Sequence, residues 1–227
     1  MCGRYTHLYT WRQLHRLMAL TTPPDTPVLE LRTSYNLAPS QAAPIVRELR
    51  GGPREAVLAR WGLVPSWSND PSKGVRPINA RSETVTTSRL FRPALQNRRC
   101  VVPISGFYEW QRTGRVKVPH YIRGRGQDIL PLAGLWERWG AGPDILETFT
   151  VLTTEANTLM RPLHDRMPVI LEPGSISRWL DPSVTDEADV ASLLGPCDPA
   201  LLEAFPVSTW VNAPSHNDER CIEPAHA

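Results

Sequence analysis

The residue best suited to covalent chemistry is Cys2, which directly follows Met1. Removal of Met1 would leave an α-amine and a thiol on the same residue. The amine has a reference pKa of about 7.7 to 8.0 and the thiol one of about 8.5, so both nucleophiles are available near neutral pH. An aldehyde could form a Schiff base with the amine, and the thiolate could close it to a thiazolidine. An amide could instead undergo acyl transfer to the thiolate, with the amine as base.

The position of Cys2 alone does not distinguish a nucleophile from an arbitrary chain start, and the rest of the sequence supplies further evidence. Six separated segments occur in this order: Met1-Cys2-Gly3-Arg4-Tyr5, Tyr35-Asn36-Leu37-Ala38-Pro39, Arg60-Trp61-Gly62-Leu63-Val64-Pro65-Ser66-Trp67, Ile78-Asn79-Ala80-Arg81-Ser82-Glu83-Thr84, Gly106-Phe107-Tyr108-Glu109-Trp110 and His164-Asp165-Arg166-Met167-Pro168. Together they resemble the SOS response-associated peptidase (SRAP) family. The resemblance extends to about Leu171 and becomes thin beyond it.

The resemblance implies that mature Cys2 captures abasic sites in single-stranded DNA. The product would be a thiazolidine with the ring-opened deoxyribose aldehyde, which would shield the lesion from strand breakage. The peptidase activity would be the removal of Met1 by the protein itself. No metal or organic cofactor is implied. Hydrolase, peptidase and lyase chemistry in DNA repair and the SOS response therefore follow as expectations.

Three further residues are expected to serve catalysis with Cys2. Asn79 offers an amide donor and acceptor that could orient the sugar or its aldehyde oxygen. Glu109 lies between aromatic residues, where burial would raise its carboxyl pKa and suit it to general acid/base catalysis. His164 lies at a predicted turn, from which an imidazole could shuttle protons. Outside their segments, these residues would more often be a turn asparagine, an exposed glutamate and a surface ion pair.

Four residues are candidates for contacting DNA. Arg4, Arg81 and Arg166 could bind phosphates, because guanidinium groups match phosphate oxygens. Trp67 could stack on a base, a contact worth roughly 1 to 3 kcal/mol in single-strand binders. Ser68 follows it where many relatives carry a second tryptophan, so stacking is expected to be weaker here. Taken singly, each residue also fits surface charge or ordinary core.

Three alternative functions remain open. An N-terminal-nucleophile cysteine hydrolase or amidotransferase would also expose a cysteine followed by glycine, but it gives no reason for the Asn79 and Glu109 segments. A thiol peptidase acting on other proteins is the second alternative. The third is a noncatalytic single-strand binder, for which Cys2 would be dispensable.

Composition limits the possible environments and partners of the chain. The formal net charge of +2 is too small for general nucleic-acid affinity, so DNA contacts must come from a local patch. The four cysteines, Cys2, Cys100, Cys197 and Cys221, form no CxxC pair and no metal-ligand spacing with histidine. We expect no structural zinc, with Cys100, Cys197 and Cys221 as buried small hydrophobes. The absence of a signal-like or membrane-spanning segment predicts a location in the bacterial cytosol or nucleoid. The protein is expected to be a monomer.

The fold predicted from pattern is one mixed, β-rich α+β domain over residues 1–227, with short peripheral helices. The 23 prolines favour strands and loops over a helical bundle. The resemblance refines this to the SRAP fold, a curved, barrel-like sheet with a positive groove leading to the N-terminus. Residues 212–227 are expected to be loosely ordered.

Local patterns predict the elements that position these residues. A helix should begin near Thr10, and Asp25 and Pro27 should lie in a loop. Further helices are expected at Ser88–Asn97, Glu155–Leu163, Gly174–Leu180 and Asp186–Leu194. Strands are expected at Ala43–Leu49, Ala56–Trp61, Cys100–Ile104, Gly106–Trp110, Lys117–Arg123, Ile129–Trp136, Glu147–Thr153, Met167–Leu171 and Phe205–Val211, the first two as a hairpin around Gly51-Gly52-Pro53.

Overall fold

A computed structural model describes residues 2–22, 29–142 and 145–225. Its strands are β1 (Tyr5–His7), β2 (Ser34–Leu37), β3 (Ala42–Glu48), β4 (Arg54–Trp61), β5 (Asn79–Arg81), β6 (Arg99–Ile104), β7 (Gly106–Thr113), β8 (Val116–Gly124), β9 (Leu130–Trp139), β10 (Leu146–Glu155), β11 (Arg166–Pro168) and β12 (Leu202–Pro206). Its α-helices are α1 (Trp11–Met18), α2 (Arg92–Asn97), α3 (Ile176–Leu180) and α4 (Glu187–Ala191). The prediction of a β-rich α+β fold with short helices is confirmed.

The larger sheet curves into a ring. Its order is β11-β10-β4-β3-β6-β9, and β9 also pairs with β10, which closes a ring of five strands with β11 outside it. The ring interior is filled by apolar side chains such as Trp61, Val102 and Phe149, and the helices cover part of its outer face. The curved sheet expected from the sequence is therefore present.

The smaller sheet carries the N-terminal segment. Its order is β12-β8-β7-β1-β2, with β1 between β7 and β2. Tyr5 on β1 lies opposite Phe107 on β7 and Leu37 on β2. This pairing holds the residues that follow Cys2 beside the strand that carries Glu109.

Two local predictions are confirmed by hydrogen bonding. The Thr10 side chain accepts from the Gln13 backbone amide, and the Gln13 side chain accepts from the Thr10 amide, which forms the capping box of α1. Strands β3 and β4 form the predicted antiparallel hairpin. Gly51 has a φ of 69°, a left-handed conformation that glycine adopts without strain.

Two predicted helices are wrong in part or in full. The helix expected from Ser88 begins at Arg92, with Pro93 in its first turn, because proline fits a helix start better than a helix interior. The segment 155–163 forms no helix. Its residues make tight turns in which the Asn157 side chain accepts from the Met160 amide at 3.0 Å. Pro162 lacks the amide that a continuing helix needs.

Most predicted strands are present and extend one to three residues beyond their expected bounds, whereas two helices and the last two strands are shorter or displaced. Helices α3 and α4 are shorter than predicted, and the extended residues after β11 make only an isolated bridge between Ile170 and Leu132. The last strand begins at Leu202 rather than Phe205 and ends at Pro206, after which residues 209–212 form a 3₁₀ turn. The loop expected around Asp25 and Pro27 lies outside the described residues.

The C-terminal segment was expected to be loosely ordered, and residues 212–225 do not fit that expectation. They pack against β2, where the Asn217 side chain accepts from the backbone amides of Tyr35 and Asn36 at 2.6 and 3.1 Å. His216 stacks on Trp210 with ring centroids 3.4 Å apart. Hydrogen bonds, ring contacts and the burial of Cys221 in a small apolar cluster hold this segment.

The remaining cysteines and the helices complete the description. Cys100, Cys197 and Cys221 are buried free thiols, as predicted. None of the helices in the described ranges combines the length and the apolar character needed to cross a membrane.

Candidate functional site

Cys2 lies just before β1 and is completely buried. The Tyr108 amide donates to the Arg4 carbonyl at 3.0 Å, so the N-terminal segment is fixed to β7. Burial, followed by the negative charge of Glu109, raises the pKa of the Cys2 thiol well above its usual range. In this environment the sulfur is held as a protonated, weakly reactive thiol.

Asn79 contacts Cys2 directly, although the two residues are far apart in the sequence. It begins β5, which pairs in parallel with β10, and Asn79 lies opposite Val151. Its Nδ2 donates to the Cys2 carbonyl at 2.9 Å across a separation of 77 residues. Its Oδ1 is buried and has no hydrogen-bond partner among the described residues, so one acceptor remains available at the site.

Glu109 brings a carboxyl group to the same place. It lies on β7 opposite His120 on β8, and its side chain is buried, with 3% relative exposure. Its negative charge is the second cause, after burial, of the raised pKa of the Cys2 thiol, which places the carboxyl within electrostatic range of the sulfur. Cys2, Asn79 and Glu109 therefore converge from three separate segments.

His164 lies at the end of the turns that precede β11 and is partly exposed. Gln111 on β7 donates to the Pro162 carbonyl at 3.2 Å, which ties these turns to the strand of Glu109. The His164 Nδ1 accepts from the Arg166 amide at 2.9 Å and also lies 2.7 Å from Asp165 Oδ1. Nδ1 cannot accept a hydrogen bond from the Arg166 amide and donate one to Asp165 at the same time, so the two contacts are alternatives.

Arg4 lies two residues after Cys2, and its guanidinium is held by distant parts of the chain. Nη1 donates to Asn36 Oδ1 at 2.8 Å and to the Val211 carbonyl at 3.0 Å. Arg4 also lines a cavity of about 390 Å³ with Gly3, Trp110, Lys117 and Asn212. Two cations and an indole therefore adjoin the residue after Cys2.

Two of the predicted DNA contacts are exposed side chains. Trp67 has 70% relative exposure, which is high for so large an apolar group, and Arg81 on β5 is exposed two residues after Asn79. Ser68 is held by its carbonyl, which accepts from Trp139 Nε1 at 2.6 Å. The Trp139 indole thus contacts the backbone of the residue that follows Trp67.

Arg166 is engaged by a partner that sequence reasoning did not identify. Its Nη1 and Nη2 donate to the two carboxylate oxygens of Glu83 at 2.6 and 2.9 Å, and Nη2 also donates to the Thr153 carbonyl at 2.7 Å. These hydrogen bonds lower the pKa of Glu83. A phosphate contact by Arg166 would have to share this guanidinium with Glu83.

Two other polar groups of the site were missed as well. Asn36 is buried against Arg4, and the Tyr5 hydroxyl is buried in the ring interior with no hydrogen-bond partner in the described ranges. Asn36, Tyr5 and Glu83 all lie within the six segments, so membership of a segment was the available signal. No group of three or more metal-ligating His, Cys, Asp or Glu side chains occurs within the described part of the chain.

Comparisons with known proteins identify the family of the chain. The model of the family described as SOS response associated peptidase (SRAP) matches residues 1–214, well past Leu171. The abasic site processing protein YoqW of Bacillus subtilis is 38% identical over 226 residues, which cover 98% of this chain and 99% of that protein. The abasic site processing protein HMCES of Xenopus tropicalis is 36% identical, covering 83% of this chain and 65% of that protein.

Solved structures show the same fold. A crystal structure of a protein from Bacteroides thetaiotaomicron has a TM-score of 0.86 and 26% identity, covering 99% of this chain and 100% of that one. A crystal structure of a protein from Bordetella bronchiseptica has a TM-score of 0.75 and 27% identity over 91% of this chain and 100% of that one. The chain belongs to the SOS response associated peptidase family.

Proposed function

We propose that this protein processes abasic sites in single-stranded DNA by forming a covalent crosslink through mature Cys2. The observation that carries the proposal is the convergence of Cys2, Asn79 and Glu109, with the Asn79 amide 2.9 Å from the Cys2 carbonyl. The names of the relatives, abasic site processing proteins, support the same substrate.

The crosslink forms in two steps. The neutral α-amine of Cys2 attacks the C1 aldehyde of the ring-opened deoxyribose and loses one water molecule to give an imine. The Cys2 thiol then adds across the C=N bond: sulfur forms the C–S bond with the imine carbon, and the thiol proton is transferred to nitrogen, with Glu109 as the relay. The product is a five-membered thiazolidine that keeps the DNA phosphodiester bonds intact.

Removal of Met1 must come first, because the nitrogen of Cys2 is an amide nitrogen while Met1 is attached. We propose that the protein catalyses this hydrolysis itself, consuming one water molecule and releasing methionine. Burial keeps the thiol protonated in the chain that retains Met1. The nucleophile is therefore latent until processing exposes the amine.

The neighbouring residues take complementary roles in this proposal. Asn79 holds the Cys2 carbonyl, which belongs to the peptide bond with Gly3 and survives the loss of Met1, and its Oδ1 accepts from the sugar or imine. Glu109 transfers protons as the general acid and base. His164 is its partner, since its ring can exchange between the Arg166 amide and Asp165 as it gains or loses a proton.

DNA is bound by the side chains around this centre. Arg4 and Arg81 contact phosphates beside the lesion, and Trp67 stacks on a neighbouring base. Arg166 contributes through its ion pair with Glu83. With a net charge of +2, affinity for intact DNA should be weak and sensitive to salt, so that the covalent bond supplies the persistence.

The test is to incubate the protein, shown by intact mass to lack Met1, with single-stranded DNA that carries one abasic site. We expect a denaturation-resistant species with the combined mass minus one water. Cys2→Ala should abolish it, whereas the matched variant Cys197→Ala, which removes another buried thiol, should retain it.

The outcomes separate the possible functions. No adduct with the wild-type protein, or an equal amount with Cys2→Ala, refutes covalent capture. DNA binding that survives Cys2→Ala without any adduct in the wild type indicates a noncatalytic binder. Glutamine hydrolysis or cleavage of other proteins that depends on Cys2, without an adduct, indicates an amidotransferase or a thiol peptidase.

A further inference from the structure

Asn36 is a buried polar residue for which the proposed chemistry gives no role. It lies on β2 with 1% relative exposure. Its Oδ1 accepts from Arg4 Nη1 at 2.8 Å. Its Nδ2 donates to the carbonyls of Val211, Ala213 and His216 at 3.1, 3.0 and 2.8 Å. One amide thus contacts both Arg4 and a segment more than 170 residues away.

Residues 211–216, which we call the C-terminal belt, also contact Arg4 and the cavity beside Cys2. Arg4 Nη1 and Nη2 donate to the carbonyls of Val211 and Asn212 at 3.0 and 3.3 Å. The Asn212 side chain accepts from Trp110 Nε1 at 2.8 Å. The belt therefore forms one wall of the cavity that Arg4 lines.

These contacts determine which donors Arg4 can offer to a ligand. A guanidinium has five N–H groups, one on Nε and two on each terminal nitrogen. Both groups on Nη1 are directed to Asn36 and Val211, and one on Nη2 to Asn212. Within the described ranges, two of the five have no acceptor, one on Nε and one on Nη2, and a bidentate phosphate contact needs two donors.

We infer that Asn36 is a positioning residue that holds Arg4 and the C-terminal belt together, so that the remaining Arg4 donors face a DNA phosphate in the cavity beside Cys2. The inference rests on the proposed function, because it takes single-stranded DNA as the ligand. Without Asn36, Nη1 loses an acceptor and the belt loses its buried donor. The guanidinium can then rotate away from the phosphate.

Noncovalent binding to an intact oligonucleotide tests this inference separately from the chemistry. In a Cys2→Ala background, affinity for single-stranded DNA is measured as a function of salt concentration. Each phosphate contact in a single-strand complex contributes about 0.7 to the slope of log K against log salt. We expect Arg4→Gln and Asn36→Ala each to reduce the slope by about 0.7, and the double variant to reduce it by no more than either alone.

Further variants distinguish positioning of Arg4 from general loosening of the protein. Asn217→Ala removes an acceptor that ties the chain after the belt to β2 but does not contact Arg4, so its slope should match the parent. Asn36→Ser replaces the amide with a single hydroxyl that can still donate or accept one hydrogen bond, so it should give an intermediate slope. It replaces Asn36→Ala if that variant does not fold.

An unchanged slope in Asn36→Ala and Asn36→Ser, additive effects with Arg4→Gln, or an equal loss in Asn217→Ala would each overturn the inference. The adduct assay distinguishes the role of Asn36 from covalent capture by Cys2. An adduct with unchanged slopes means that only the role of Asn36 fails, and reduced slopes without a wild-type adduct mean that only covalent capture fails.

Discussion

Replacing Asn79 with alanine is the sharpest test of the geometry at Cys2. The substitution removes the Nδ2 donor that lies 2.9 Å from the Cys2 carbonyl, together with the buried Oδ1. It leaves the backbone pairing of β5 with β10 unchanged. The variant therefore alters how the nucleophile is held while keeping the strand in place.

The size of the effect follows from one hydrogen bond. A typical intramolecular hydrogen bond contributes about 0.5 to 1.5 kcal/mol net. Since about 1.4 kcal/mol corresponds to a tenfold change, loss of this bond should slow crosslinking by about 2- to 13-fold. Asn79→Asp should slow it more, because a carboxylate cannot donate to the carbonyl and adds a negative charge near Glu109.

The assay is the single-turnover rate of adduct formation on single-stranded DNA with one abasic site, with protein in excess. Asn97→Ala is the matched control, because it removes an asparagine side chain from α2 whose Nδ2 donates only to the Pro93 carbonyl at 3.2 Å. A wild-type rate in Asn79→Ala, or an equal loss in Asn97→Ala, would refute the reasoning. Thermal unfolding of both variants checks that folding is intact.

Two further predictions concern stability around β1 and β7. Burial lowers the pKa of His7 to about 4, so the native state holds it neutral while the unfolded chain protonates below about 6.5. Stability should therefore fall by about 2 to 3 kcal/mol as pH drops from 6.5 to 4, measured by urea unfolding, and an equal fall in His7→Gln would contradict this origin. Gly106→Ala would place a Cβ 2.5 Å from the Tyr121 ring and 2.7 Å from the Ile122 carbonyl. We expect the unfolding free energy to fall by about 1 to 3 kcal/mol. Gly174→Ala is the control and should change it little, because no atom lies within 4 Å of the added Cβ. If Gly106→Ala is as stable as Gly174→Ala, β7 and β8 relax to accept the methyl group and the steric argument fails.

Local sequence signals predicted the elements whose stability is local. The capping box at Thr10 and Gln13 depends on residues three apart, and the β3–β4 hairpin depends on a turn between two apolar runs. Both formed where expected. The helix predicted for 155–163 failed because side-chain bonds of Asn157 and the missing amide of Pro162 favour turns there.

The six segments indicated the family and contained the candidate residues. They did not indicate which groups those residues would contact in the folded protein. Arg166 was assigned to phosphate, and its bidentate pair with Glu83 is formed only when β5 and β11 flank the same end of β10. Residues 212–225 carry no apolar period, yet the Asn36 amide and the Asn217 side chain fix them to β2.

The sequence by itself determined which chemistry Cys2 can perform, because the covalent structure of an N-terminal cysteine places an amine and a thiol on the same residue. Only the tertiary structure decided the setting of that chemistry, which is a buried, protonated thiol whose carbonyl is held by Asn79 and whose electrostatic environment includes Glu109. The physical reason is that these contacts join residues 77 or more positions apart. Interactions over such separations depend on how the sheets close and leave no periodicity in the local sequence.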